Sequence, residues 1–177
     1  MIKLGIDKIK QVMIGADKIK KIYLGTDLIF DKPLTPAGVY FEDGSFESLE
    51  GVTEISGFRG KNVVSVVIPN SVTNIGAMAF RGNRLTSVVI PDSVTNISNG
   101  TFANNQLSSV VIPNSVTTMG TGAFANNQLT SVVIPDSVTN IRAMAFRGNR
   151  LTSVSIKKGT TYQSDSFPDG CEIIERP

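Results

Sequence analysis

The sequence predicts a mainly β protein: a solenoid of 22-residue coils with parallel strands, preceded by a small antiparallel β module. Three observations carry this reading. Proline recurs at Pro69, Pro91, Pro113 and Pro135, phenylalanine at Phe80, Phe102, Phe124 and Phe146, and leucine at Leu85, Leu107, Leu129 and Leu151, each series stepping by 22 residues. The first thirty residues keep a period of ten instead, with glycine at Gly5, Gly15 and Gly25 and aspartate at Asp7, Asp17 and Asp27. The two periods are separated by DKPLTPAG, residues 31–38, whose two prolines mark a short stiff linker.

Residues 1–30 are the first element. Each Gly-x-Asp suits a three-residue hairpin turn, because glycine reaches positive φ without a Cβ clash. Strands of about seven residues joined by such turns make a meander; a ten-residue coil, the alternative, leaves little room for an interior. Two or three short strands bury little area against an ordering cost of about 1–2 kcal/mol per residue. Ile9, Val12, Ile14, Ile19, Ile22, Leu24, Ile29 and Phe30 therefore need a second layer, from other copies of the chain or from another protein. The expectation is a docking or assembly module and a homo-oligomer, with a trimer as the expected stoichiometry. Lys3, Lys8, Lys10, Lys18, Lys20 and Lys21 suggest an anionic partner, but their alternation with aliphatics fits the polar face of a sheet better. The string KIKKIYLGTDLIF resembles a short repeat in virion structural proteins of phages that infect Gram-positive bacteria, near the ends of tail, baseplate or fibre components. That resemblance covers about thirty residues and implies docking onto other virion proteins and release by lysis.

Residues 31–49 read as the linker and an N-terminal cap. Around them lies the only concentration of carboxylates, Glu42, Asp43, Glu47, Glu50 and Glu54. Oxygen ligands suit calcium, but the spacing matches no known loop, and a solvated edge is the competing explanation; no metal is assigned.

Residues 50–156 hold the repeats. In each unit Leu85, Val88, Ile90, Val94, Ile97 and Phe102, or their equivalents, supply a short strand, a turn, a second extended piece and a return. The prolines directly follow the strands, where a missing N–H does least harm. Asn70-Ser71, Asp92-Ser93, Asn114-Ser115 and Asp136-Ser137 follow the prolines, with side chains suited to bonding the local backbone in a turn. Asn83, Asn105, Asn127 and Asn149 precede the strands, placed to satisfy inward-facing backbone groups. One such coil cannot bury its own apolar side, but stacked copies can, with equivalent strands pairing about 4.8 Å apart. The pattern Asn-x-Leu-x-x-Val-x-Ile-Pro-x-x-Val-x-x-Ile, with AMAF after it, resembles the leucine-rich repeat family, and within it the BspA-like, Treponema-type subclass, over residues 50–168. The asparagine-to-leucine gap is one residue shorter than in that subclass. The resemblance implies a β-rich leucine-rich-repeat solenoid with parallel strands on a concave side, and relatives that often work as bacterial surface adhesins. Residues 157–177 read as a C-terminal cap: Lys157 replaces the expected proline, Phe167 slips by one place, and Cys171 sits beside Ile173 and Ile174 as a small buried hydrophobe.

Function is narrowed mostly by exclusion. Histidine and tryptophan are absent and cysteine occurs once, which removes a histidine-based triad or metal site and any intramolecular disulfide. No phosphate loop, Gly-x-Ser-x-Gly or His-Glu-x-x-His occurs, so no enzyme, catalytic residue or cofactor is expected. A net charge of +2 gives no nucleic-acid footprint. No run of about 18 apolar residues exists, so no membrane insertion is expected. MIKLGIDKIK interleaves lysine with single aliphatics and is not a Sec-type signal, so the protein either stays in the cell that made it, leaves by lysis, or has had a signal removed.

If Leu85, Val88 and Ile90 point inward, then Ser65, Ser87, Ser109 and Ser131 and Val67, Val89, Val111 and Val133 line up outward. This row is either plain β propensity or a contact surface. Arg81 and Arg84 in one coil and Arg147 and Arg150 in another form two basic patches around an amide-rich middle, as solvated loops or as binding groups. The expected function is a non-enzymatic phage virion accessory component, a fibre, decoration or tail-tip protein, whose solenoid meets a host-surface protein or glycan. The alternative is a bacterial cell-surface or secreted adhesin of the BspA-like kind.

Overall fold

The structure is a computed structural model that describes residues 9–15, 18–24, 27–30 and 36–177; for the segments before residue 36 it describes the backbone alone. Strands are the only regular elements among the described residues, and the chain divides into two compact units, Met1–Pro36 and Ala37–Pro177. In the first unit, β1 (Ile9–Gly15), β2 (Lys18–Leu24) and β3 (Asp27–Phe30) form an antiparallel sheet in the order β1-β2-β3. Val12 stands opposite Ile22, Ile14 opposite Ile19, and Ile22 opposite Phe30. The turn residues 16–17 and 25–26, the linker residues 31–35 and the side chains assigned to docking lie outside the described residues.

The second unit is a parallel β solenoid. It opens with a hairpin, β4 (Gly38–Phe41) and β5 (Phe46–Ser48), followed by β6 (Glu54–Ile55), β7 (Val63–Val67), β8 (Asn74–Ile75), β9 (Ser87–Val89), β10 (Asn96–Ile97), β11 (Ser109–Val111), β12 (Thr118–Met119), β13 (Asn140–Ile141), β14 (Ser153–Lys157), β15 (Thr161–Tyr162) and β16 (Glu172–Arg176). Two rows of strands run along the stack. The Asn-Ile pieces form a four-stranded parallel sheet, β10-β12-β13-β15, and a parallel pair, β6-β8. On the other row β9 pairs with β11 and β14 with β16, both parallel, and β4 lies antiparallel on β7. The hairpin thus covers an edge of β7 that would otherwise offer its backbone groups to any passing strand.

Pairing on this second row is intermittent, whereas the repeat predicts it in every coil. Residues 131–133 form no ladder, although their neighbours in sequence hold the coils together through Gln128 N–H to the Leu107 carbonyl and Arg150 N–H to the Leu129 carbonyl. A row of rings, by contrast, runs unbroken through the coils. Phe58, Phe80, Phe102, Phe124, Phe146 and Phe167 stack face to face, with centroids 5.4–5.7 Å apart and planes within 12°. The backbone beside these rings is paired from coil to coil, with Phe80 N–H bonding the Thr101 carbonyl and Phe102 N–H the Ala123 carbonyl at 2.9 Å. Phe167 joins the row despite its slip because the last coil is shorter, with Thr161 pairing Asn140. Phe41, tilted by 47° on Phe58, and Tyr162, 66° from Phe167, end the row.

The asparagines inside the stack are matched coil by coil, whereas the buried Ser137 hydroxyl has no partner among the described residues. Asn105 accepts from Leu85 N–H at 3.1 Å and donates to the carbonyls of Phe80 and Phe102 at 2.9 and 3.1 Å, and Asn83, Asn127 and Asn149 repeat the pattern. The serines after the prolines differ from their expected local role. Ser71, Ser93 and Ser115 donate to Val52, Val72 and Val94 carbonyls in the preceding coil. Their own turns are already closed by the backbone, with Val72, Val94 and Val116 N–H bonding Pro69, Pro91 and Pro113 carbonyls, which leaves the hydroxyls free to reach the neighbour.

Candidate functional site

Period-two alternation decides what the strand row presents. Leu85, Val88 and Ile90 are buried, as are Leu107, Ile112, Leu129 and Ile134, so the residues between them face out. Val89, Val111 and Val133 are 68%, 61% and 76% exposed, an unusual state for valine, and Ser65, Ser87, Ser109 and Ser131 are exposed beside them. Val67 is only half-buried because the hairpin reaches it: Gly38 stands opposite Val67, and a Cβ on Gly38 would lie 2.1 Å from the Phe46 ring. A groove of about 280 Å³ runs between the first two of these coils, with Ser65, Val67, Asn70, Ser87, Val89 and Pro91 in its walls.

Sequence reasoning missed both ends of this face. At one end Tyr40, opposite Ser65, packs 4.9 Å from Phe46, which is exposed. At the other, Ile174 is exposed opposite Ser155. The signal was the alternation in GVYF and EIIER, too short to read before the pairing partners were known. The valine row is therefore flanked by apolar side chains on strands that lie outside the 22-residue repeat.

The arginines fall into two pairs rather than one site. Arg84 forms a close ion pair with Glu42. Arg81 is half-buried, and Arg147 and Arg150 are exposed; none of these three has an ion-pair partner among the described residues. The acidic residues are scattered in role as well. Glu42 holds Arg84, Glu54 accepts from Asn74, and Asp43 accepts from the backbone and hydroxyl of Ser45, bonds that hold its carboxyl below the ordinary range. No group of three or more acidic, histidine or cysteine side chains is placed to hold a metal among the described residues. Cys171 packs half-buried against the core, and burial pushes its thiol pKa up, away from the thiolate that would be reactive. Among the described residues no helix is long and apolar enough to cross a membrane.

Residues 52–175 match the family model described as BspA type leucine rich repeat region, with 6 copies. No curated protein matches the chain. Among solved structures, a leucine-rich repeat protein from Bacteroides ovatus ATCC 8483 is similar at 20% identity and a TM-score of 0.56, over 99% of this chain and 54% of its own. The chain thus spans about half the length of that protein, and the likeness is one of fold.

Proposed function

The chain belongs to the BspA-type leucine-rich repeat family, and from that premise we propose that it is a non-enzymatic binding protein whose strand face, residues Ser65 to Val133, meets a partner on a cell surface. The observation that carries this reading is the valine row. Three valines more than 60% exposed at successive coils are costly to leave in water, and contiguous apolar surface on a protein marks interaction. In the finer reading the protein is a phage virion accessory component: residues 1–30 dock or oligomerise, residues 31–49 link and cap, and the solenoid meets a host-surface protein or glycan. The likeness of KIKKIYLGTDLIF to virion repeats supports it. The second reading, a cell-surface or secreted adhesin, is supported by the family itself.

Labelled protein added to Gram-positive cells, and in parallel to immobilised extracellular-matrix protein, separates the two readings. Val89→Lys with Val111→Lys should leave folding intact, since both side chains already face water, and lower that binding at least tenfold. Unchanged binding would assign the valines to strand propensity alone.

A further inference from the structure

Four successive coils place the residue two before the phenylalanine in the left-handed region: Met78 at φ 58°, Gly100 at 62°, Gly122 at 62° and Met144 at 57°. Glycine adopts this backbone freely; in any other residue the Cβ crowds the following carbonyl oxygen. Asn104 and Asn126, also left-handed, belong to the residue type that tolerates it, and methionine does not. Neither methionine belongs to the core, with Met78 37% and Met144 38% exposed, although the Met78 stem lies over Gly100 of the next coil. A strained residue kept where glycine serves its neighbours points to a use for its side chain.

The same two coils carry the arginines. AMAFRGNRLTSV stands at both 77–88 and 143–154, whereas the coils between read NGTFANNQLSSV and TGAFANNQLTSV. At the first patch Arg59 also reaches Met78, Nη1 to Sδ 3.6 Å. Between the patches Ala103, Gly122 and Ala125 keep the surface low. The distance is three coil steps of 5.7, 5.5 and 5.4 Å, roughly 17 Å in all, which is also the length of about three α-helical turns.

We propose that Met78 with Arg81 and Met144 with Arg147 are two copies of one contact patch that together hold an acidic amphipathic helix of a partner protein, laid along the stack. The thioethers supply adaptable apolar contact, and methionine and arginine are the side chains that interfaces favour. Guanidiniums without carboxylate partners select a segment that brings its own. Helix geometry follows from the spacing. Side chains at i and i+11 of a helix lie three turns apart on one face, so both reach a patch. In an extended strand, residues about 17 Å apart are five positions apart and point to opposite faces. The glycine and alanine track admits the helix body between the two anchors. This surface is distinct from the valine row and does not rest on its reading.

The test uses stapled 20-residue helical peptides and fluorescence anisotropy with the full chain. One peptide carries a Leu anchor, with Glu one turn away, at i and at i+11; its control has the same composition with the anchors at i and i+7. The first should bind at least tenfold tighter. Met78→Gly with Met144→Gly, and separately Arg81→Gln with Arg147→Gln, should each remove at least that tenfold, while Val89→Lys with Val111→Lys should change nothing. The methionine-to-glycine variant should melt at the same temperature as the parent or higher, since glycine takes φ near 58° without strain. Equal affinity for both spacings, or binding untouched by the glycine variant, overturns the proposal. So does a lowered melting temperature of that variant, which would make the methionines structural.

Discussion

Asn105 stands for the residues that hold the stack from inside. Its amide meets Leu85 N–H and the Phe80 and Phe102 carbonyls, all cut off from water. Each buried group left without a partner costs about 1–3 kcal/mol, so Asn105→Ala should lower stability by about 3 kcal/mol or more, read as a shift of the urea midpoint at constant slope. This role was legible in the sequence, because Asn83, Asn105, Asn127 and Asn149 keep the 22-residue step at a buried-facing position. The left-handed methionines were not legible. The alignment of Met78 and Met144 with Gly100 and Gly122 is visible in the sequence, but its meaning depends on φ, which no residue type announces. Ser71, Ser93 and Ser115 went astray for a related reason: a hydroxyl after proline suits its own turn equally well, and the backbone decides which carbonyl remains open.

Among elements, the phenylalanine row holds the largest fully buried side chains, Phe80, Phe102, Phe124 and Phe146. Phe102 is fully buried and touches a stacked ring on either side at 5.7 and 5.5 Å. Phe102→Ala leaves a cavity that neither neighbour can collapse into, because each is held by its own coil; the expected loss is about 3–5 kcal/mol in thermal or urea unfolding. Phe102→Leu should cost less. The row was readable from spacing alone, and so was the order of the two strand pieces in each coil. The intermittence of strand pairing was not, since residues 131–133 carry the same Ser-Val-Val as their paired equivalents at 87–89 and 109–111. The β4–β5 hairpin was also hidden. Four and three residues are too few to show a period, and the hairpin declares itself only through Gly38, whose missing Cβ admits the Phe46 ring.

At the scale of the whole molecule the chain is two units of different grammar, one of ten residues and one of 22. A three-stranded sheet of 7, 7 and 4 residues offers little apolar burial against its ordering cost of about 1–2 kcal/mol per residue, which is the ground for proposing that it docks. Multi-angle light scattering should find the intact chain oligomeric and a chain lacking residues 1–32 folded and monomeric; two monomers would end the docking idea. The family and its repeat were legible because 22-residue stacking demands the same side chains in every coil. The partner was not, because recognition lies in the positions the stack leaves free.

The row of rings has a final implication. The rings stack in the same way from coil to coil, and Phe41 and Tyr162 turn aside at the two ends. Deleting or duplicating one 22-residue unit between Phe80 and Phe146 therefore changes the tally while keeping the ring stack, and slides Met144 relative to Met78 by one notch of about 5.5 Å. The molecule is in that sense a caliper, whose jaw width is written in whole repeats and is open to adjustment by recombination alone.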